Sequence, residues 1–304
     1  MLARLLRWTI LVLCLIGGAM GYLLTPLPID PEWNAVLLAV AWPFLTLLLI
    51  ELASATLSRA PEPWGVWWRA LWGEYIAGIQ VFLFRQPWTW VTPPILPATG
   101  LPVRVPVVLV HGYLCNHRIW DDMATALRAK GHSVLAVNLE PLFTSIDHYA
   151  PIVDTAVTAL CQHTGASKVA LVGHSMGGLA IRAWMRGHGS HKVARVITLG
   201  TPHVGTQIDF RPRTPNAMQM AWNSAWLTEL TSSETATTRA LIRIAITPQD
   251  NIVYPQRVQT LAEVATTAFE GIGHVQLCLE TPVIEWVCEH LTELASPAAA
   301  QPAH

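Results

Sequence analysis

The sequence predicts an α/β fold, a mostly parallel sheet with helices on both faces, preceded by an N-terminal hairpin of two transmembrane helices. Three observations predict it. Two charge-free apolar runs stand at the start of the chain. From residue 105 onward, short β-branched runs alternate with segments of helical periodicity. One strand-to-helix junction carries a serine between glycines, Gly173-His174-Ser175-Met176-Gly177.

Of the 304 residues 52% are apolar and only 13% charged, where a soluble domain averages about 25% charged. The net charge of −1 shows no basic excess of the kind nucleic-acid binding requires. The composition is uneven: all twelve histidines lie at or after His111, whereas nine of the fourteen tryptophans precede residue 91. The first third therefore reads as the membrane part and the rest as the part that carries chemistry. Residues 1–58 are expected to anchor the chain, 59–104 to form a Trp-rich interfacial segment and a Pro-rich linker, 105–296 the catalytic domain and 297–304 a flexible tail.

Trp8–Leu24 holds no charge, and Leu5–Leu24 makes 20 residues, about 30 Å of helix, the thickness of a bilayer's hydrocarbon core. Ala35–Ile50 is free of charge, and the apolar character extends to Ala53. A rival reading makes the first run a cleaved signal peptide, with Gly17–Gly21 as its cleavage zone. The length of the run and the closeness of the second favour two spans. Arg4 and Arg7 precede the first span, Arg59 and Arg69 follow the second, and Thr25–Asn34 between them has no Lys or Arg. The positive-inside rule then puts both outer flanks, and the C-terminal domain, on the cytoplasmic side of a bacterial inner membrane.

Trp64, Trp67, Trp68, Leu71, Trp72, Tyr75, Ile76 and Ile79 recur at helical spacing, interrupted by Arg69 and Glu74. This is an amphipathic helix, lying either in the headgroup layer, which Trp and Tyr favour, or on the soluble domain. Thr92–Pro106 holds five prolines and reads as an extended linker.

Strands are expected at Val105–Val110, Ser133–Leu139, Lys168–Val172, Val193–Leu199, Leu241–Ile246 and Thr266–Glu270. Helices are expected at His117–Lys130, Asp147–His163, Ser175–Arg186 and Glu280–Leu294. In such sheets sites gather at the carboxyl edge of the strands, and His111, Ser175, Thr201 and Asp250 all follow a strand.

The junction at Ser175 is the nucleophile-elbow pattern G-x-S-x-G in its proper setting, after a strand and before a helix. Side chains at 173 or 177 would crowd the turn that lifts the serine hydroxyl above the sheet. A serine needs a base, and the chain order Ser, acid, His is the one expected on this fold. His274, in GIGHVQL after the last strand, is the expected base; His290, His304 and His174 compete less well, the last expected to point away across the elbow. Asp250, in TPQDNIV after the fifth strand, is the expected orienting acid, with Glu270 and Asp209 in reserve. The oxyanion is assigned to the amides of Met176, after the nucleophile, and of Tyr113, after Gly112 in the first strand's loop.

Across VVLVHGYLCN (107–116), LVGHSMGGLAIR (171–182), ITLGTPHVGT (197–206), Gln219–Leu230, TPQDNIV (247–253) and GIGHVQL (271–277) the chain resembles the α/β-hydrolase family and, within it, a bacterial triacylglycerol lipase-like branch. The resemblance covers roughly residues 105–294. It implies a serine hydrolase that cleaves acyl esters through an acyl-enzyme, with the amides at Tyr113 and Met176 binding the oxyanion. The membrane spans depart from secreted lipases.

The expected activity is a membrane-anchored serine esterase or lipase acting on a hydrophobic acyl ester beside the lipid bilayer. The alternatives are an acyltransferase with the same three residues and a catalytically silent scaffold on the same fold. No cofactor or metal is called for: the five cysteines are scattered, and His188 and His191 read as solvated. Gly205–Thr238, rich in Met and Trp, is either a lid over an acyl pocket or a helix packed on the sheet.

Overall fold

Helix α1 (Leu2–Leu23) and helix α2 (Pro31–Leu57) are antiparallel neighbours. Their close approach has a simple cause. A Cβ at Gly21 would meet the backbone of Asn34 and Ala35, and one at Gly17 would meet Leu38 and Trp42, so the two glycines, one turn apart, let the backbones touch. In this computed structural model both helices are long and apolar enough to cross a membrane, with mean hydropathy 1.7 and 2.3 over their best windows, and both are mostly exposed. The structure describes residues 1–24, 30–209 and 213–294. Part of the connector between α1 and α2, the tail from 297 and His304 lie outside the described residues.

The end of α2 turns polar and docks. Asn251 donates to the Glu51 carboxylate at 2.7 Å and to Ser54 Oγ at 3.1 Å, and Gln256 donates to the Ser58 carbonyl. Met1 and Glu140 form an ion pair at the start of α1. The start of α1 and the end of α2 are thus tied to loops that follow strands.

Helix α3 (Trp64–Gly78) divides the Trp-rich segment between two faces. Trp67, Ala70, Leu71, Glu74 and Ala77 are buried, while Trp64, Trp68, Trp72 and Ile76, four residues apart, are exposed. The helix therefore packs on the domain with one face and presents tryptophans on the other. Glu74, expected to interrupt the helix, is in the buried face.

The sheet has six parallel strands in the order β2-β1-β3-β4-β5-β6: β1 Val107–Val110, β2 Val134–Ala136, β3 Val169–His174, β4 Val193–Leu199, β5 Ile242–Ile246 and β6 Thr266–Ala268. Alternation along β1 builds two cores. Val108 and Val110 pack with α5 (Ala150–Thr164), α6 (Met176–His188) and α8 (Ala225–Ser232). Val107 and Leu109 pack on the other face with α4 (Asp121–Ala129) and α10 (Thr281–Thr292). The short α7 (Pro215–Gln219) and α9 (Ala236–Ala240) flank α8.

The expected elements recur with ends shifted by up to four residues. His117–Trp120 is a 3-10 turn before α4, and Ile146–Tyr149 is another before α5, capped by Ser145. The Pro-rich stretch lies against the sheet: Leu96 and Val134 exchange backbone hydrogen bonds of 2.8 Å. That contact covers the edge strand β2, which would otherwise offer unpaired N–H and C=O groups.

Candidate active site

Ser175 sits at the tip of the β3–α6 turn with φ +54° and ψ −128°, a backbone state that a non-glycine residue holds only at a cost of about 1–3 kcal/mol. The surrounding glycines make it attainable. A Cβ at Gly173 would fall 2.6–2.7 Å from the backbone of Gly178, and one at Gly177 would fall 2.6 Å from the His111 carbonyl oxygen and closer still to that of Val110. Strand, helix and the end of β1 thus close around the serine as tightly as bare backbone allows. The Ser175 amide donates to the Leu199 carbonyl at 2.8 Å, which ties the turn to β4.

Gly112 is needed for the space it leaves beside Ser175. A Cβ there would lie 2.7 Å from Ser175 Cβ and 3.3 Å from its Oγ. The loop after β1 therefore runs directly beside the nucleophile. His111 fixes that loop: its Nδ1–H donates to the Gly112 carbonyl at 2.9 Å, and its Nε2 accepts from the Leu139 amide at 3.0 Å. Burial drops its pKa to about 4, so His111 is a neutral brace between the ends of β1 and β2.

The acid and base expected from the sequence meet. His274 Nδ1 lies 2.7 Å from Asp250 Oδ2, with both side chains buried. Asp250 is held by its other oxygen, which accepts the amides of Ile252 at 2.9 Å and Val253 at 2.6 Å. Gly200, with φ +55°, passes so close that a Cβ there would lie 3.1 Å from His274 Nδ1 and 3.3 Å from Asp250 Oδ2. Leu199, the residue before it, accepts from the Ser175 amide. One short stretch of β4 and its loop thus touches the serine on one side and the acid–imidazole pair on the other. Burial alone would lower the His274 pKa; the Asp250 charge and hydrogen bond, with the Glu74 charge, reverse this and raise it.

His174 does not point away from the base. Its Nε2–H donates to the His274 carbonyl at 3.0 Å, and the two rings lie 4.6 Å apart. Burial beside His274 keeps the His174 pKa well below that of a free imidazole. The reserve acids lie elsewhere, Asp209 near Arg213 and Glu270 near Arg257 at the surface. His290 bonds the Trp286 carbonyl within α10.

Sequence reasoning missed Glu74. From α3 its carboxylate accepts the amides of Val275 at 2.8 Å and Gln276 at 2.9 Å, the two residues after His274. The available signal was the glycines: a Cβ at Gly273 would strike Glu74, and one at Gly73 would strike Gln276.

Beside the serine is a cavity of about 10 Å³ lined by Gly112, Tyr113, Leu142, Phe143, Met176 and Asn216, room for about one water. Asn216 heads the Met- and Trp-rich segment and contacts Met176 Sδ at 3.6 Å. Gln219 and Trp226 fasten the segment to the loop before α5, through Ser145 and Asp147, while Met220, Leu227 and Leu230 are buried in the core.

A profile of the alpha/beta hydrolase fold matches residues 105–240. This chain has the α/β-hydrolase fold. Among curated relatives, a triacylglycerol lipase of Pseudarthrobacter phenanthrenivorans is 34% identical over 118 residues, 36% of this chain and 36% of the lipase. A non-heme haloperoxidase of Rhodococcus erythropolis is 29% identical over 116 residues, 35% of this chain and 41% of the relative. The chain thus spans well under half the length of the curated relatives it matches. Among solved structures, the mature form of a Bacillus licheniformis lipase superposes with a TM-score of 0.52 at 19% identity, covering 63% of this chain and 95% of the lipase. At that identity the likeness establishes the shared fold.

Proposed function

We propose that this α/β-hydrolase is a membrane-anchored serine esterase or lipase that cleaves hydrophobic carboxylic esters through an acyl-enzyme. The observation that carries the reading is the strained Ser175 joined through the Leu199–Gly200 stretch to the 2.7 Å His274–Asp250 pair. Lipase relatives support the ester class.

In this reading Ser175 Oγ attacks the acyl carbonyl carbon while its proton passes to His274 Nε2. The carbonyl electrons move onto oxygen, where the amides of Met176 and Tyr113 stabilise the charge. Asp250 holds the His274 Nδ1 proton and stabilises the imidazolium. Collapse breaks the ester C–O bond, and the leaving alkoxide takes the proton from His274. Water then attacks the acyl-enzyme, with His274 as base, and the acid departs from Ser175.

The membrane placement rests on the two apolar helices and on what surrounds their water-side ends. The Arg7 guanidinium lies 3.9 Å over the Trp90 ring and the Arg59 guanidinium 3.9 Å over the Trp64 ring. With the exposed Trp68 and Trp72, these suit the headgroup layer, where indole rings and cations both settle. Residues 1–58 are then the anchor, 59–104 the interfacial segment and 105–296 the catalytic domain, facing the cytoplasm. A reporter fused to the C-terminus is expected to be active only in the cytoplasm; activity on the far side of the membrane would overturn the orientation.

The chemistry is tested with a fluorophosphonate probe and a panel of esters and phospholipids of graded chain length. The wild type is expected to be labelled and to hydrolyse apolar esters, and Ser175→Ala to do neither. Absence of labelling in both would leave a silent scaffold, and acyl transfer to an added alcohol in preference to water would identify an acyltransferase.

A further inference from the structure

We propose that Glu74 is a positioning residue for His274, presented to the base's loop by the membrane-proximal helix α3, so that the N-terminal part of the chain completes the catalytic centre. The proposal rests on the serine-hydrolase reading above.

His274 is gripped at three points. Asp250 holds its ring at Nδ1, His174 holds its carbonyl, and Glu74 holds the amides of the next two residues. The Glu74 contacts come from 201 and 202 residues away in sequence, and the residue is only 3% exposed. Both sides of the contact are built for it. Gly273 leaves space for the Glu74 carboxylate and Gly73 leaves space for Gln276, whose own Oε1 accepts the Gly273 amide at 2.9 Å. Two buried backbone donors on one buried carboxylate is a complete arrangement, since an unpaired buried donor or charge costs several times what a formed hydrogen bond returns.

The placement also bears on charge. Burial raises the Glu74 pKa to about 7, against the pull of His274 and the two amides, which favour its anion. Glu74 and the His274 imidazolium therefore stabilise each other. The imidazolium exists fully only as Ser175 attacks, so the interaction is stronger in the transition state than with substrate merely bound, and its loss lowers kcat rather than raising KM. The ionisable groups facing Glu74 are Glu51 from α2, Asp250 after β5, His274 itself, Cys115 after β1 and Cys278 before α10. Of these, His274 is the group that becomes cationic.

The test is full-length enzyme in detergent, with kcat and KM measured across the acid limb. Glu74→Gln keeps the shape, removes the charge and sets an NH₂ against one of the two amides. It is expected to lower kcat roughly tenfold, the scale of lost outer-shell partners, with KM unchanged. Removing the anion lowers the His274 pKa, so the acid limb moves to lower pH, by roughly half a unit. Glu74→Asp keeps the charge but falls one methylene short; kcat is expected to fall while the limb keeps its place. This second variant carries the test if Glu74→Gln does not fold. Wild-type kcat and limb position in both variants would overturn the proposal while leaving the hydrolase reading intact. Wild-type turnover that survives Ser175→Ala would overturn both.

Discussion

His274→Ala is expected to lower ester turnover by about four orders of magnitude or more in a protein that stays folded, and Asp250→Asn by a similar factor. The structure says why the second change, a single oxygen for an NH₂, should be so costly. Asp250 Oδ1 accepts two backbone amides, from Ile252 and Val253. An asparagine in its place must turn its one oxygen toward those amides, or two buried donors face an NH₂. The NH₂ is then directed at His274 Nδ1, which has to accept. The ring proton shifts to Nε2, the nitrogen that must receive the serine proton, and the base is disabled without being moved. The variants are compared by kcat on a soluble ester, with circular dichroism as the check on folding. A rate within tenfold of wild type for either would remove that residue from the mechanism.

The largest stability effect is expected at Arg182, away from the chemistry. Its side chain is fully buried on α6. It forms a two-pronged pair with Glu234 at 2.6 and 3.1 Å, and also bonds Thr231 Oγ1 at 3.0 Å and His203 Nδ1 at 3.1 Å. Because the guanidinium can only donate, His203 Nδ1 accepts, and its Nε2–H donates to Thr198 Oγ1 at 3.0 Å. Burial beside the Arg182 charge holds the His203 pKa well below the usual imidazole value, consistent with that neutral form. Arg182→Ala leaves the Glu234 carboxylate, 4% exposed, with only the Arg239 guanidinium at 3.7 Å as counter-charge and is expected to cost about 3 kcal/mol. Arg182→Met combined with Glu234→Leu removes both charges and should recover most of that loss. By contrast, the pair Arg257–Glu62 has an arginine more than half exposed, and breaking it should cost no more than about 1 kcal/mol. Denaturant unfolding of these three variants measures the order; equal losses at the two sites would refute it.

Arg182 also explains part of the GTPH segment that the sequence resemblance singled out. His203 follows that resemblance, but its place is between Thr198 of β4 and Arg182 of α6, where it joins sheet to helix. Gly200, in the same segment, is the residue that brings the serine turn and the acid–imidazole pair to one edge. The pattern was legible as a motif, and the reason for it was not.

The same division runs through the chain. The elbow was legible because its requirement is local: a tight turn between a buried strand and a helix leaves no room for a Cβ at 173 or 177. The buried strands were legible because a doubly covered parallel strand must be apolar along its length, and the two N-terminal helices because their apolar runs are long and little broken by charge. The expectation of Ser175, Asp250 and His274 followed from the residue order of this fold and from the loops that follow its strands. What sequence periodicity could not reach were contacts whose two halves are some two hundred residues apart. Glu74 read as an interruption of a helix and Glu51 drew no reading; docking of α2 and α3 turned both into partners of the loops carrying Asp250 and His274. His174 read as turned away because the geometry of one turn does not say what a distant loop will lay against it. By itself the sequence determined which residues must lie at turns, in strands and in apolar spans, since those demands are satisfied within a few neighbouring positions. Only the tertiary structure decided which buried charges meet, because a carboxylate out of water is stabilised by whichever donors the packed chain brings to it.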